Sequence, residues 1–174
     1  MTRTAAKIYA SPLGALLLAA DGDGLTALDF LKAPPASLPA GTNAALRSAI
    51  RWLDVYFSGR DPGFTPPLHL SGTPFRLAIW RLLLDIPYGE TTTYGALAKT
   101  ISARRDGAPM SAQAVGGAVG HNPVALIVPC HRVVGTNGSL TGYASGLDKK
   151  TKLLSLEGLR IANGKIMASC GEQS

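Results

Sequence analysis

Over the first thirty residues, apolar positions come in short runs broken by turn residues. Residues 7–10, 14–20 and 24–31 predict three strands of a meander, with Ser11-Pro12 and Asp21-Gly22-Asp23-Gly24 as the turns between them. Residues 32–42, KAPPASLPAGT, form a proline-rich loop. From Asn43 to Phe57 the period changes: Ala45, Leu46, Ala49, Ile50, Leu53 and Phe57 recur at spacings of three and four. That pattern predicts an amphipathic helix capped by Thr42 or Asn43. Gly59 to Pro67, with three prolines and two glycines, predicts a boundary.

Beyond it the apolar spacing is helical again. Pro74 to about Asp85 predicts a helix with Thr73 as its cap and Phe75, Leu77, Ala78, Leu82 and Leu83 on its apolar side. Pro87-Tyr88-Gly89 ends it. A short helix is expected from Tyr94 to Lys99, capped by Thr92 or Thr93, then a polar loop over 102–110 and another short helix over 111–120, SAQAVGGAVG. Two short helices joined by a turn predict a helix-turn-helix. Val124 to Val128 is wholly apolar and predicts a short buried strand, followed by the turn cluster Gly135-Thr136-Asn137-Gly138. DKKTKLLSLE, 148–157, predicts a last helix with Gly158 as its stop. The chain thus reads as α+β, with a sheet-plus-helix unit over 1–66, a second unit over 67–165 and a flexible tail over 166–174.

Composition changes this picture in three places. Apolar residues make up 46% of 174, enough for a sizeable core. The net charge of +6 is uneven: residues 1–69 carry six basic and five acidic side chains, while residues 70–165 carry eleven and five. A basic second unit is compatible with a phosphate-rich partner. Two cysteines, 130 and 170, provide neither a disulfide framework nor a cysteine zinc site, and they favour a reduced compartment. Arg3 and Lys7 before the apolar run 13–20 imitate a secretory signal, but the bracketing turn residues fit strands better. No run reaches the ~20 apolar residues of a membrane span. His69 and His121 have no ligand-type neighbours in sequence and read as solvated or satisfied histidines, and no chemistry is expected of the first unit.

The candidate chemistry lies at Pro129-Cys130-His131-Arg132-Val133-Val134. A thiol beside an imidazole suggests a nucleophile and its base; an inert buried cysteine beside a surface histidine is the plainer alternative. Neighbours on an extended strand point to opposite faces, so the pair needs a bend or a bridging water to act together. Two oddities elsewhere bear on the choice. Lys149, Lys150 and Lys152 open the last helix and Glu157 closes it, each against the helix dipole. A carboxylate so placed suits a partner such as a histidine that becomes cationic, giving a Cys130–His131–Glu157 triad. Gly116 and Gly117 each cost a helix about 1 kcal/mol relative to alanine. Close helix packing and approach to a bulky partner explain them equally well.

PCHRVV, preceded by AVGGAVGHNPVALIV and followed by GTNGSLTGYASG and LLSLEG, resembles the O6-alkylguanine-DNA alkyltransferase family over residues 73–160. The resemblance implies a ribonuclease H-like first unit and a winged-helix-like second unit. It also implies a single-use, cofactor-free DNA-repair protein that moves an alkyl group from O6 of guanine, or O4 of thymine, in duplex DNA onto its own cysteine after base flipping. The expected partner is double-stranded DNA with alkylated guanine, met by a cytoplasmic monomer without membrane or metal. Carried over by residue, Cys130 is the acceptor, His131 the base acting through water, Glu157 its orienting group, Asn122 the brace of the active-site turn, and Tyr94 the residue aiding base rotation. Tyr143, Val133, Ala144, Ser145 and Pro123 are implied in the substrate pocket, with backbone near Cys130 and Val133 accepting from the guanine amino group. Ala112, Gln113, Ala114, Gly116, Gly117, Thr93, Arg132, Arg104 and Arg105 are implied in DNA binding, the helix-turn-helix entering the minor groove.

Two positions depart from that pattern. Gln113 stands where the family places an arginine that fills the space of the flipped nucleotide, and the longer loop 102–110 brings Arg104-Arg105, which we expect to compensate. Ala144 replaces a common serine. Other readings are a binding-only relative, opposed by the presence of Cys130; a cysteine hydrolase, for which no separate substrate pocket is legible; and a helix-turn-helix transcription factor, which would have no use for the Cys-His pair.

Overall fold

The three expected strands pair in sequence order. β1 (Ala5–Ser11), β2 (Gly14–Ala20) and β3 (Leu25–Phe30) form an antiparallel sheet, with Ser11 opposite Gly14 at the first turn and Leu16 opposite Phe30 across the second pair. The computed structural model describes residues 4–168; Cys170 and the tail beyond 168 lie outside the described residues. Alternation does its work on β2, where Leu16, Leu18 and Ala20 are fully buried. α1 (Ala44–Phe57) covers that face with Leu46, Ala49, Trp52, Leu53 and Tyr56. Asn43, not Thr42, is its cap, accepting from the Leu46 amide at 2.9 Å.

β3 fastens the two units together. Near its start, Leu25 N–H donates to Pro67 O at 2.8 Å and Leu25 O accepts from His69 N–H at 2.9 Å. At its far end Leu28 exchanges two bonds with the chain around Val124: its N–H donates to Pro123 O at 2.9 Å and its O accepts from Ala125 N–H at 2.7 Å. Gly24 permits the first approach, because a Cβ there would lie 2.7 Å from the Leu68 carbonyl carbon. One apolar core runs through both units, from Leu16 and Leu53 to Ile79, Val115 and Val128.

In the second unit, α2 (Pro74–Leu84) is capped by Thr73, α3 (Tyr94–Ala103) by Thr93, and α4 (Ala112–Gly120) by Ser111. α3 extends four residues past the expected Lys99, with Ile101 buried in its added turn. α4 is held from behind by the buried Trp80, whose Nε1–H donates to Ala118 O at 2.9 Å. β4 (Thr92–Thr93) pairs in parallel with β5 (Val133–Val134). α5 (Leu147–Leu156) starts one residue early, and Glu157 is its C-cap. β6 (Ile161–Ala162) and β7 (Lys165–Ile166) close a hairpin, so residue 166 belongs to a strand and not to a tail.

The expected strand over 124–128 does not form. Only Val124 bridges to β3; residues 125–128 then coil into buried turns, with Leu126 at φ 67°. An apolar run of five records burial and not conformation. Inside the turn Ile127 N–H reaches Ala125 O and Val128 N–H reaches Val124 O, while Ala125 N–H is spent on Leu28 O of β3.

Candidate active site

Asn122 closes that turn from both sides. Its Oδ1 accepts from the Val124 amide at 3.0 Å, and its Nδ2 donates to Val128 O at 2.7 Å. Between them Ile127 N–H reaches Ala125 O and Val128 N–H reaches Val124 O. Pro129, at φ −81° and ψ 65°, makes an inverse γ-turn in which Cys130 N–H donates to Val128 O at 2.8 Å. Residues 130–132 follow as one 3-10 turn. With three residues per turn, successive side chains fan out by about 120°. Cys130 therefore lines a surface cavity while His131 and Arg132 enter the protein behind it. That is the bend the Cys-His pair needed.

Behind the turn lies a buried polar network centred on Glu157. Its Oε1 accepts from His131 Nε2 at 2.6 Å, Tyr56 Oη at 2.8 Å and Arg132 Nη2 at 3.1 Å. Its Oε2 accepts from Arg132 Nε at 2.9 Å and the Gly89 amide at 3.1 Å. Burial alone would raise this carboxyl, but the hydrogen bond from His131 and the hydrogen bonds and charge of Arg132 outweigh it and hold the group at about 2. Since the ionised carboxylate can only accept, His131 carries its proton on Nε2, and Nδ1 is the bare lone pair. Nδ1 is buried and has no partner among the described residues. Burial also pushes the imidazole down, against the opposing pull of Glu157, which keeps the ring neutral and basic at Nδ1 at neutral pH.

Arg132 is thus not a DNA contact. It is 7% exposed, and its remaining Nη1 donates to Ile86 O at 2.7 Å. Tyr56, from α1 of the first unit, was invisible as a site residue in the sequence. It falls within the helix predicted over Asn43 to Phe57 but outside the apolar spacing that marked it, and only the tertiary fold brings it to Glu157.

On the other side of the turn, a cavity of about 200 Å³ opens to the surface. Cys130, Asn122, Tyr94, Tyr143, Ala144 and Ser145 line it; Asp29 from β3 and Gly116 from α4 line it as well. Pro123 is not in the wall, its carbonyl being spent on Leu28. Val133 is also absent: it is fully buried, and its carbonyl accepts from Lys150 Nζ at 2.6 Å. That bond takes one of the two lone pairs of the carbonyl oxygen. Burial pushes the Cys130 thiol above its ordinary value; the Asn122 hydrogen bond and the Lys150 charge oppose this, and Asp29 adds to it. The Tyr143 hydroxyl is buried and unpartnered among the described residues.

Lys150, one of the three lysines that open the last helix against its dipole, turns inward. It is fully buried, and its ammonium donates to Val133 O, Thr141 O and Gly142 O at 2.6, 2.8 and 3.1 Å. Three donors meet three carbonyls, tying the 141–142 segment of the cavity wall to β5. Burial lowers this lysine to about 8. Tyr94 Oη also donates to Thr141 O, at 3.2 Å.

The outer face of α4 carries Ala112, Gln113, Ala114 and Gly117, all exposed, while Val115, Ala118 and Val119 face the core. A Cβ on Gly117 would meet nothing within 4 Å, and one on Gly116 would rest 3.7 Å from the Tyr94 ring, an ordinary contact. Internal packing therefore requires neither glycine, which leaves approach from outside as their explanation. Arg104 and Arg105 are exposed at the end of α3, and the Thr93 hydroxyl is engaged in capping that helix. His69, read from the sequence as a solvated or satisfied histidine, pairs with Asp21 at 2.6 Å, with Asp23 close by. His121 Nδ1 lies 2.7 Å from Gly117 O.

A family model described as the 6-O-methylguanine DNA methyltransferase, DNA binding domain, matches residues 74–159. Another, described as the ribonuclease-like domain of the same proteins, matches residues 6–70. The chain is 47% identical over 155 residues to a methylated-DNA–protein-cysteine methyltransferase of Methanosarcina acetivorans, covering 87% of this chain and 96% of the relative. It is 46% identical over 150 residues to the protein of that name from Mycobacterium tuberculosis, covering 84% and 88%. A crystal structure of Mycobacterium tuberculosis OGT in complex with DNA superposes with a TM-score of 0.75 at 45% identity, covering 86% of this chain and 90% of that one. An O6-methylguanine DNA methyltransferase of Methanococcus jannaschii gives 0.64 at 28% identity, covering 91% and 97%.

Proposed function

Because the chain belongs to the 6-O-methylguanine DNA methyltransferase family, and is therefore a DNA-binding repair transferase, we propose that Cys130 is the acceptor of the alkyl group. The observation that carries this assignment is the division made by the 3-10 turn: the thiol faces a cavity, and the histidine behind it has a bare, unpartnered Nδ1. A water between Nδ1 and the thiol passes the proton inward, and Glu157 steadies the imidazolium that results. The thiolate attacks the alkyl carbon; the S–C bond forms as the C–O6 bond breaks, and the electron pair leaves with guanine. The proton lost by the thiol is balanced by the one guanine gains. The thioether is stable, so each molecule acts once.

Alkylated guanine, or O4-alkylthymine, reaches the cavity only after leaving the base stack, at a cost of a few kcal/mol. We assign the small exposed face of α4 to the minor groove, with Gln113 at the point of base exit and Arg104 and Arg105 on phosphates. Tyr94, on the edge between α4 and the cavity, aids rotation of the base; Asn122 holds the turn; Tyr143, Ala144 and Ser145 form the pocket wall. The division at 66/67 and action as a cytoplasmic monomer belong to the same reading. No helix among the described residues is long and apolar enough to cross a membrane.

Incubation with a duplex containing O6-methylguanine, followed by mass spectrometry, tests the assignment. One methyl is expected on the Cys130 peptide, and none in Cys130→Ser. Binding without mass gain would point to a recognition-only relative and sink the proposal; catalytic turnover would sink single use. Replacing Arg104 and Arg105 by Ala is expected to weaken DNA binding and flatten its salt dependence. Unchanged binding would remove them from the interface.

A further inference from the structure

Asp29 is the residue of the first unit that reaches the cavity. Its place follows from β3: Leu28 is hydrogen-bonded to the chain on both sides of Val124, so the next side chain stands beside the active-site turn. The carboxylate is held by one oxygen. Oδ1 accepts from the Phe30 amide at 2.7 Å and from Ser145 Oγ at 3.0 Å, while Oδ2 accepts nothing among the described residues. No salt bridge neutralises it there either: Lys149 lies over the Phe30 ring at 5.1 Å, and Lys150 is spent on backbone carbonyls. Among the described residues Asp29 is thus the one carboxylate in the cavity wall, and its field reaches the reacting sulfur.

We propose that Asp29 sets the charge specificity of the alkyl group, admitting neutral and cationic groups and disfavouring those that carry a negative charge. The inference rests on Cys130 as acceptor. During transfer the alkyl carbon sits between guanine O6 and Sγ, so any substituent on it lies against the cavity wall. A carboxylate there faces a second carboxylate, with one oxygen unpaired among the described residues, on the exposed edge of the cavity, and like charges a few ångströms apart repel even where water screens them. The repulsion is absent while the lesion is stacked in the duplex and acts from the flipped-in complex through the transition state to the thioether, so it slows transfer measured from the bound duplex. Specificity of this kind comes from a repulsive element and not from an added contact.

Two duplexes identical except for the lesion, O6-carboxymethylguanine in one and O6-carbamoylmethylguanine in the other, provide an anion and its neutral isostere. Single-turnover transfer to Cys130 is expected to be about tenfold faster from the neutral lesion. In Asp29→Asn, which keeps an Oδ1 acceptor for Ser145 and Phe30, the two rates should come to within about twofold of one another. Asp29→Lys should invert the order. Effects of the substitution on thiol ionisation or DNA affinity act on both duplexes and cancel in the ratio. Ser145→Ala removes the tether without the charge and should preserve the wild-type ratio. A wild-type ratio of one, a ratio unaltered in Asp29→Asn, or a ratio lost equally in Ser145→Ala would each overturn the proposal. Failure of Cys130 as acceptor is a separate result: no transfer from either duplex or from O6-methylguanine.

Discussion

The two sides of the 130–132 turn are built on opposite rules. Behind it, Glu157 accepts five hydrogen bonds from Tyr56, His131, Arg132 and Gly89, more than the roughly four lone-pair directions a carboxylate offers. In front of it and at its hinge, two buried polar atoms, His131 Nδ1 and Tyr143 Oη, are left with no partner among the described residues. The saturated side has nothing left to offer a substrate, and it fixes the turn in place. The open side contributes little to stability and holds the chemistry. A single turn of three residues divides the two roles.

That contrast is easiest to break at Glu157. Glu157→Ala leaves His131 and Arg132 buried without their acceptor, and we expect a loss of about 3–5 kcal/mol in denaturant unfolding. Cys130→Ser should change stability by less than about 1 kcal/mol while abolishing transfer. Comparable stability losses in the two variants would end the distinction. Acid probes the same side without mutation. With Glu157 at about 2 in the folded protein and near 4.5 when unfolded, its contribution is complete above pH 4.5 and fades as pH falls towards 2. The shift corresponds to about 3 kcal/mol, and an acid transition unaltered in Glu157→Gln would refute it. The open side behaves differently: burial raises the Cys130 thiol and lowers His131, and the relay moves the proton within the protein, so the transfer rate should stay level around neutrality and fall in acid as His131 protonates; a rate that climbs steadily with pH through neutrality would refute the water-relayed thiol.

Tyr56→Phe is a smaller test. It removes one donor of several to Glu157, and should cost about 1–2 kcal/mol and slow transfer while DNA affinity holds. Equal loss of affinity and rate would make Tyr56 a general core residue. Smallest of all is Gly117→Ala, expected to stabilise α4 by up to about 1 kcal/mol and yet weaken DNA binding. Stabilisation with undiminished binding would remove α4's bare face from the interface.

Local chemistry was legible in the sequence, and residues joined through the fold were not. Pro129-Cys130-His131 marked the site, and Glu157 could be paired with it because its place at the end of a helix opposes the dipole. The capping residues Thr73 and Thr93 and the three-strand meander followed from short-range rules of turns and periods. The run 124–128 misled because apolarity reports burial, and a bridge to β3 followed by a turn buries residues as well as a strand does. Arg132 misled for the converse reason, and the burial of Lys150 was hidden in the same way. A cation reads as surface until its acceptors are known, and these lie on other segments: Glu157 and Ile86 for one, Val133, Thr141 and Gly142 for the other. Tyr56 and Asp29 left no signal, since each belongs to the first unit and gains a role only when β3 and α1 dock against the second.

The chain's two tryptophans are divided between the same two regions. Trp80 donates its indole N–H to Ala118 behind α4, and Trp52 stacks on Tyr56 at 4.9 Å, one hydrogen bond from Glu157. Each region therefore carries its own fluorophore. Trp52→Phe leaves an emission signal that follows α4 as DNA arrives, and Trp80→Phe leaves one that follows the Glu157 network as acid or alkylation disturbs it. Docking and chemistry can be timed separately on a single chain without a label.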